Sequence, residues 1–306
     1  MVKEANMKSR HRLKGISLFD VINTFLVVLI TFMIAYPLYF CVIASFSDPT
    51  QVGAGKTLLW IKDFSLEAYR NIVKESRLWV GYRNTIIYTV LGTLYNLVLT
   101  IPLAYVMTKQ RMPFHNAISW FFFLTMYVSG GMIPSYLLMK DLKLIDSPLA
   151  MIVGAGVNCY NMIVARQYFA ASISQDIYEA AYVDGASELK CFTRIALPLA
   201  KPIIAVLTLY YGVGHWNSYY NGLLYIYKAK YYPLQLVLRD ILISNQTITI
   251  DAAGDVESMK QMMANAHAAE GMKYAIIFIA SAPLLIIYPF LQKYFEKGVM
   301  IGAVKG

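Results

Sequence analysis

Six long apolar stretches, separated by polar connectors, dominate the pattern of hydrophobic and polar positions along this chain. A helix needs about 20 apolar residues to cross the ~30 Å hydrocarbon layer of a bilayer, and each stretch reaches that length. We therefore predict an all-α membrane protein that forms a single transmembrane domain over residues 1–306. The six predicted transmembrane helices cover residues 18–45, 84–107, 114–139, 148–169, 203–225 and 274–294.

The composition agrees with a membrane protein. Hydrophobic residues make up 58% of the 306 residues, charged residues only 15%, and the mean hydropathy is +0.50. A soluble domain usually carries charge on about a quarter of its residues. The net charge of +9 therefore favours basic side chains at lipid headgroups over nucleic-acid binding. The three cysteines have no pairing or metal-ligand spacing, and we interpret them as packing residues.

Charge also predicts the orientation of the chain. Six spans place both termini on one side, and short basic segments favour the cytoplasm. The N-terminal segment 1–17 and the short turn 109–113 are basic, and we assign them to the cytoplasm with the polar insert 172–202 and the tail 295–306. The long polar segment 227–273 is predicted to be an extracellular loop. We expect a multi-pass plasma-membrane protein with cytoplasmic termini.

The polar insert 172–202 lies between the fourth and fifth apolar stretches and has the signals of two short helices. Ser172 with Gln175 three residues on is typical of a capping box at a helix start. Gly185 suits the left-handed turn that ends a helix. Ser187 then predicts the N-cap of a second helix. The insert is thus predicted to be a helix–turn–helix outside the membrane.

The same insert carries a motif with fixed spacing. Glu179-Ala180-Ala181 is followed after three residues by Gly185, and after nine more by Ile195-x-Leu197-Pro198. This string resembles the EAA loop of ABC-importer permeases. The resemblance implies the type I ABC importer permease fold, in which cytoplasmic coupling helices enter a cleft on an ATPase subunit. It implies that Glu179 pairs with a basic group there, and it assigns the coupling role to Glu179, Ala180, Ala181, Asp184, Gly185, Ile195, Leu197 and Pro198.

Other stretches resemble the maltose-type carbohydrate permeases, and some of them the branch that imports complex or oligomeric sugars in bacteria. These stretches are Phe64–Tyr69, Asn84-Thr85, Gly130–Pro134, His215–Asn217, Tyr232–Gln235 and the tail 297–306. The resemblance implies a heterodimer with a second permease subunit, two ATPase subunits that bind ATP and Mg, and an extracellular substrate-binding lipoprotein. It implies no cofactor bound by this chain.

The fifth apolar stretch is rich in aromatic and asparagine residues. Residues three and four apart share a helix face, so Tyr210, Gly214, Asn217 and Asn221 form one stripe, and a second lies beside it. Aromatic rings offer sugars an apolar face, and Asn within lipid needs hydrogen-bond partners. An interfacial aromatic belt is the alternative for the tyrosines. The predicted substrate pathway comprises Tyr210, Tyr211, His215, Trp216, Asn217, Tyr220 and Asn221.

Other function classes find less support in the sequence. A secondary transporter would need ionisable residues inside its spans, and the apolar stretches hold almost none. A permease for a non-sugar solute stays possible with the same insert. The segment 53–57 resembles the end of a phosphate-binding loop, but Thr50 stands where that motif needs glycine. The four histidines have no metal-ligand spacing and no catalytic motif occurs, so we predict that the chain is not an enzyme and holds no metal.

Overall fold

The structure, a computed structural model, describes residues 17–110, 112–247, 271–287 and 289. Within these residues the chain is helical, and extended pairing is limited to one isolated antiparallel bridge between Ser47 and Phe64. The predicted cytoplasmic N-terminal segment up to residue 16 and the tail 295–306 lie outside the described residues.

Among the residues that the structure describes, two helices are long and apolar enough to cross a membrane as single units. They are α1 (Leu18–Ser45) and α4 (Ser76–Val106), and between them lie the short helices α2 (Pro49–Gly53) and α3 (Glu67–Lys74). Helix α4 begins eight residues before the predicted second span, 84–107, because Glu75 caps its polar first turn at Arg77 N–H. Hydrophobicity marks the lipid-facing part of a helix, whereas the cap marks where it starts.

The remaining helices are shorter. In chain order they are α5 (His115–Leu124), α6 (Met132–Asp141), α7 (Pro148–Val153), α8 (Cys159–Ser172), α9 (Gln175–Val183), α10 (Glu188–Cys191), α11 (Leu197–Leu199), α12 (Lys201–Trp216), α13 (Tyr219–Tyr225), α14 (Leu234–Thr247) and α15 (Gly271–Ile287).

Three of the predicted continuous spans are broken in the structure. The predicted span 114–139 is divided into α5 and α6, where Gly131 has φ +86°, a conformation that side chains disfavour. The predicted span 148–169 is divided into α7 and α8 at Gly154, and Asn158 caps α8 by accepting a hydrogen bond from Asn161 N–H at 3.1 Å. The predicted span 203–225 is divided into α12 and α13 at Asn217. Apolar content alone does not reveal such breaks.

The predicted loop 227–273 contains helix α14, so its first half is not a loop. Leu234, Val237, Leu238 and Ile241 recur at helical spacing and are all buried, because they pack in a cluster with α4 and α15. Residues 248–270 lie outside the described residues. Helix α15 covers most of the predicted last span, 274–294, whose end also lies outside them.

Helix α4 is the centre of the fold. Its C-terminal half packs with α8, α12 and the insert around Phe169 and Leu207, and its N-terminal half packs with α3, α14 and α15 around Trp216. It also buries several polar side chains, among them Asn84 and Asn96. Buried polar groups in a membrane need partners within the protein, and both amides have them.

The segments predicted to lie inside meet at one end of α4, and the segments predicted to lie outside meet at the other end. Lys109, in the predicted inner turn, lies 3.7 Å from Glu188 of the insert. In the connectors predicted to be outside, Asp146 lies 2.7 Å from Lys228, near the end of α4 at which Asn84 donates hydrogen bonds to the carbonyl of Lys230. The fold therefore keeps the two sets of connectors apart.

Candidate coupling loop and translocation surface

The first helix of the insert has its N-cap two residues later than the sequence predicts. Ser172 is the last residue of α8, and Ser174 is the N-cap residue of α9. The predicted capping box between Ser172 and Gln175 does not form, since Ser172 is still helical and its buried hydroxyl finds no partner within the described chain. The apolar side chain of Ile173, buried in the core, sets the point at which the two helices separate.

The turn between the two helices of the insert forms as predicted. Gly185 has φ +76° and its N–H donates to the carbonyl of Tyr182 at 3.0 Å. Ser187 caps α10 by accepting a hydrogen bond from Lys190 N–H at 3.4 Å. The predicted glycine turn and serine cap are therefore confirmed.

Beyond α10 the insert continues through one π-helical turn, Phe192–Ala196, into α11. The second half of the insert, Glu188–Leu199, meets α12 at a bend of 76°. Pro202 lies in the first turn of α12, a position where proline fits because its missing N–H would be unpaired anyway. The insert thus projects sideways from the end of the predicted fifth span.

The motif residues divide between an exposed face and a packed face. Glu179 and Ala180 are exposed, and the Glu179 carboxylate has no ionic or hydrogen-bond partner among the residues that the structure describes. The exposed face also holds Asp184, which follows α9 directly, and Pro198. On the packed face Ala181, Ile195 and Leu197 contact the core cluster around Leu207.

Exposed apolar residues also occur on the insert, and the predicted coupling residues do not include them. Val183 is 88% exposed and Leu189 71%, with Ile177 also exposed. Large apolar side chains exposed together in a polar segment are typical of an interaction surface. Their signal in the sequence is faint, because a Val or Leu beside a glycine turn also fits a buried position.

A basic side chain joins the insert to α4. Lys109 Nζ lies 3.7 Å from Glu188 Oε2, donates to the Tyr182 hydroxyl at 3.1 Å, and lies 3.8 Å from the centre of the Tyr178 ring. Glu188 also accepts hydrogen bonds from Tyr182 at 2.6 Å and from Tyr105 of α4 at 3.0 Å. We call these five residues the Lys109 clasp.

The ionisable groups of the clasp are tuned by their contacts. Burial alone would raise the pKa of Glu188, but hydrogen bonds from Tyr182 and Tyr105 and the charge of Lys109 outweigh it, so the pKa of Glu188 is lowered. Burial raises the pKa of Tyr178 to about 12. Near neutral pH the clasp therefore contains one cation, one anion and neutral tyrosines.

The predicted pathway stripe of α12 borders open space in the isolated chain. Tyr210 lines a cleft of about 640 Å³ together with Asn158 and Asn161. Asn217 lines a second cleft of about 320 Å³, and Leu284 of α15 borders both. A Cβ at Gly214, between the two polar residues, would meet no atom within 4 Å. The stripe therefore faces a groove rather than the packed core.

Three other predicted pathway residues, Tyr211, His215 and Trp216, point into the protein. The Tyr211 hydroxyl lies 2.7 Å from Thr100 Oγ1, and His215 Nε2 lies 2.7 Å from Asn96 Oδ1. Trp216 Nε1–H donates to the carbonyl of Ala280 at 3.1 Å. These three predicted pathway residues are thus engaged in internal contacts, away from the groove.

The last two predicted pathway residues lie on α13. Tyr220 and Asn221 are both exposed, and the Tyr220 hydroxyl donates to Met132 Sδ at 2.8 Å. The structure therefore brings Tyr210 and Asn217 to the groove, and separates them from the inward-facing residues.

The structure combines apolar helices long enough to cross a membrane with a projecting helix–turn–helix, as in the membrane component of a transport system. The chain belongs to the family of binding-protein-dependent transport system inner membrane components, whose pattern matches residues 78–301. The resemblance to ABC-importer permeases is thereby confirmed.

Relatives match over nearly the whole chain. Protein LplC of Bacillus subtilis (strain 168) is 36% identical over 99% of this chain and 100% of its own length. The polygalacturonan/rhamnogalacturonan transport system permease protein YtcP of the same organism is 32% identical over 94% of this chain and 99% of its own. The crystal structure of a bacterial ABC transporter involved in the import of the acidic polysaccharide alginate is also similar. It matches with a TM-score of 0.81 and 31% identity, over 92% of this chain and 98% of that one.

Proposed function

We propose that this chain is one half of the translocation pathway of an ATP-driven importer for oligosaccharides derived from polysaccharides. The observation that carries the proposal is the insert, whose exposed Glu179 and Val183 face outwards while the Lys109 clasp holds it to α4. Such a surface suits a rigid partner that pushes or pulls the hairpin.

The partner of the insert in this proposal is an ATPase subunit that binds ATP and Mg itself. A cleft with a basic group would receive α9 and pair with Glu179, which has no partner in the described chain. The complete complex would contain a second, different permease, two ATPase subunits and an extracellular binding lipoprotein. Closure of the ATPase pair would then bias the membrane helices between two access states.

The proposed orientation is that predicted from charge, with both termini in the cytoplasm of a bacterial cell. The fold supports it by gathering the predicted inner turn at Lys109 and the insert at one end of α4, and the predicted outer residues Asp146 and Lys228 at the other. Cytoplasmic placement of the insert is what access to ATPase subunits requires.

The substrate class rests on the named relatives and on the groove. YtcP is named for polygalacturonan and rhamnogalacturonan, and the structural relative imports alginate. In this chain the groove presents Tyr210 and Asn217, and Gln235 and Arg239 line the same cleft as Asn217. Aromatic and amide groups suit sugar rings and hydroxyls, and a guanidinium suits a carboxylate. We therefore propose acidic oligosaccharides as the first substrates to test.

Reconstitution tests this proposal directly. The complex purified with its ATPase and binding protein should hydrolyse ATP faster when loaded with oligosaccharide, and should import labelled acidic fragments in preference to neutral ones. Glu179→Lys should abolish co-purification of the ATPase or its coupling to transport. Glu67→Lys, the same charge reversal on exposed α3, should leave both intact.

Three outcomes would contradict the proposal in whole or in part. Normal coupling in the Glu179→Lys complex would remove the assigned role of the insert. Solute uptake by the purified chain alone, without an ATPase, would indicate a secondary transporter. Faster import of a peptide or ion than of any oligosaccharide would retain the importer and overturn the substrate class.

A further inference from the structure

The Lys109 clasp connects three separate elements through one ammonium group. Tyr105 belongs to α4, Tyr178 and Tyr182 to α9, and Glu188 to α10. Lys109 itself follows α4 by three residues and is linked to its end by a hydrogen bond from its own N–H to the carbonyl of Val106 at 2.9 Å. Both helices of the hairpin are therefore tied to the same point on α4.

We propose that Lys109 is a positioning residue for energy coupling, which makes the insert and α4 move as one body. This inference rests on the proposed function, since it concerns how a displacement of the insert by an ATPase reaches the membrane helices. Lys109 does not contact the ATPase or the substrate in this proposal; it fixes the orientation of the part that does.

The need for such a contact follows from how lightly α9 is anchored. Among its nine residues only Tyr178 is buried, with Ala181 partly buried beside it. The helix is bounded by the short link Ile173-Ser174 and by the glycine turn at Gly185. A short helix whose one buried side chain is Tyr178 can tilt about that contact, so a second point of attachment is required to pass on a force.

The clasp supplies that second point with directional contacts. Lys109 lies 4.7 Å from the Tyr105 ring centre and 3.8 Å from that of Tyr178, so it occupies the space between α4 and α9. The carboxylate of Glu188 accepts from Tyr105 and Tyr182 and closes the ring of contacts across α10. The Lys109 side chain is 24% exposed and that of Glu188 62%, so water screens the ion pair more than it screens the contacts of the ammonium group with the rings.

Helix α4 then carries the displacement to the other side of the membrane. Its 31 residues extend ~46 Å at 1.5 Å per residue. Near its far end Asn84 donates hydrogen bonds to the carbonyls of Lys230 at 2.9 Å and Tyr232 at 3.0 Å, and Thr85 accepts one from Leu234 N–H at 2.7 Å. A shift of the insert would thus reach the outer segment 230–234 along a single helix.

The test uses the full complex and measures oligosaccharide imported per ATP hydrolysed. Lys109→Met removes the charge and keeps the length of the side chain, and should lower this ratio about fivefold, at the lower end of allosteric coupling, while the ATPase still co-purifies. Lys109→Arg keeps the charge and the ring contacts and should restore most of it. Lys140→Met, the same change at the exposed end of α6, should have no effect.

A second measurement reports orientation without transport. Spin labels at Val183 and at exposed Val98 of α4, measured in nanodiscs without the ATPase, should give one narrow distance distribution with Lys109 in place and a broad one with Lys109→Met. An unchanged ratio and an unchanged distribution in Lys109→Met would overturn the proposal, and so would failure of that variant to assemble, which would make Lys109 a folding residue.

These outcomes differ from failure of the proposed function. If the unmodified complex imports no oligosaccharide on ATP, the proposed function fails while the distance measurement still tests the clasp. If the unmodified complex is coupled and the Lys109→Met complex is coupled equally well, only the clasp proposal fails.

Discussion

His215 Nε2 of α12 lies 2.7 Å from Asn96 Oδ1 of α4, where Asn96 is buried and His215 is partly buried. The Asn96 amide donates in turn to the carbonyls of Ala155 and Gly156, in the break between α7 and α8. One asparagine thus provides hydrogen bonds for an irregular backbone and a histidine, which a membrane interior would otherwise leave without partners.

Replacing Asn96 should destabilise the protein. Asn96→Leu keeps the branched shape of the side chain but leaves two buried carbonyls and the His215 ring without this partner, at a cost of about 1–3 kcal/mol for a buried unsatisfied group. Thermal unfolding of the purified chain in detergent or nanodiscs measures the change. Asn221→Leu, at an exposed asparagine of α13, should unfold like the original protein, and equal losses in both variants would contradict the assigned network.

Two glycines offer a matched test of how α4 and α12 pack. A Cβ at Gly92 would overlap the His215 ring, whereas a Cβ at Gly214 would meet no atom within 4 Å. Alanine is favoured over glycine inside a helix by about 1 kcal/mol, so Gly214→Ala should leave stability unchanged or raise it. Gly92→Ala should lower the unfolding temperature, because the clash displaces His215 from Asn96. If Gly214→Ala lowered the unfolding temperature and Gly92→Ala did not, α12 would be rotated relative to its position in the structure.

These residues also show which features of the candidate site can be predicted from the sequence and which cannot. The turn at Gly185 and the cap at Ser187 follow from local rules and formed as predicted. The inward direction of His215 was not predicted. Helical periodicity groups residues into stripes but does not indicate which stripe meets another helix. Lys109 lies 73 residues from Tyr182, so the clasp depends on tertiary contacts that no local pattern contains. The break between α7 and α8 was missed because its partner Asn96 lies on another helix.

The groove residue Asn217 should matter for transport and little for folding. Its amide already donates to the carbonyl of Val213 within the helix at 3.0 Å, and the residue is exposed to the cleft. Asn217→Leu should lower uptake of labelled oligosaccharide by about tenfold, since a site that loses a hydrogen bond to a substrate hydroxyl loses about 1–1.5 kcal/mol. The unfolding temperature should stay the same. Asn71→Leu, on exposed α3, should alter neither; equal uptake in both variants would argue against the groove as the pathway.

The outer ion pair predicts a pH dependence. A hydrogen bond from Lys228 Nζ, with those from the N–H groups of Lys228 and Tyr227, lowers the pKa of Asp146. A carboxyl whose pKa is lower in the folded state stabilises the fold above its unfolded value of about 3.9 and loses that contribution as pH falls through the folded value. Asp146→Asn should therefore lower the unfolding temperature at pH 7, and the difference from the original protein should shrink as pH falls below about 4. A difference that persists in acid would contradict a role of the ionised carboxylate, because asparagine tolerates the φ of +58° at this position as well as aspartate does.

Val183 provides the sharpest test of the exposed face of the insert, because its 88% exposure separates binding from folding. A side chain that contacts almost nothing in the isolated chain contributes little to its stability, so Val183→Ser should unfold at the same temperature as the original. If the insert enters an apolar cleft on an ATPase, burial of a valine there contributes about 1.5 kcal/mol, and its loss should weaken ATPase binding about tenfold. Binding is measured by titrating the ATPase onto the nanodisc-embedded permease. Val128→Ser, at a 63% exposed valine beyond α5, is the control, since it lies outside the insert. Unchanged affinity in Val183→Ser would place the ATPase contact elsewhere on the chain. The exposed surface that holds Glu179 and Val183 would then bind some other partner.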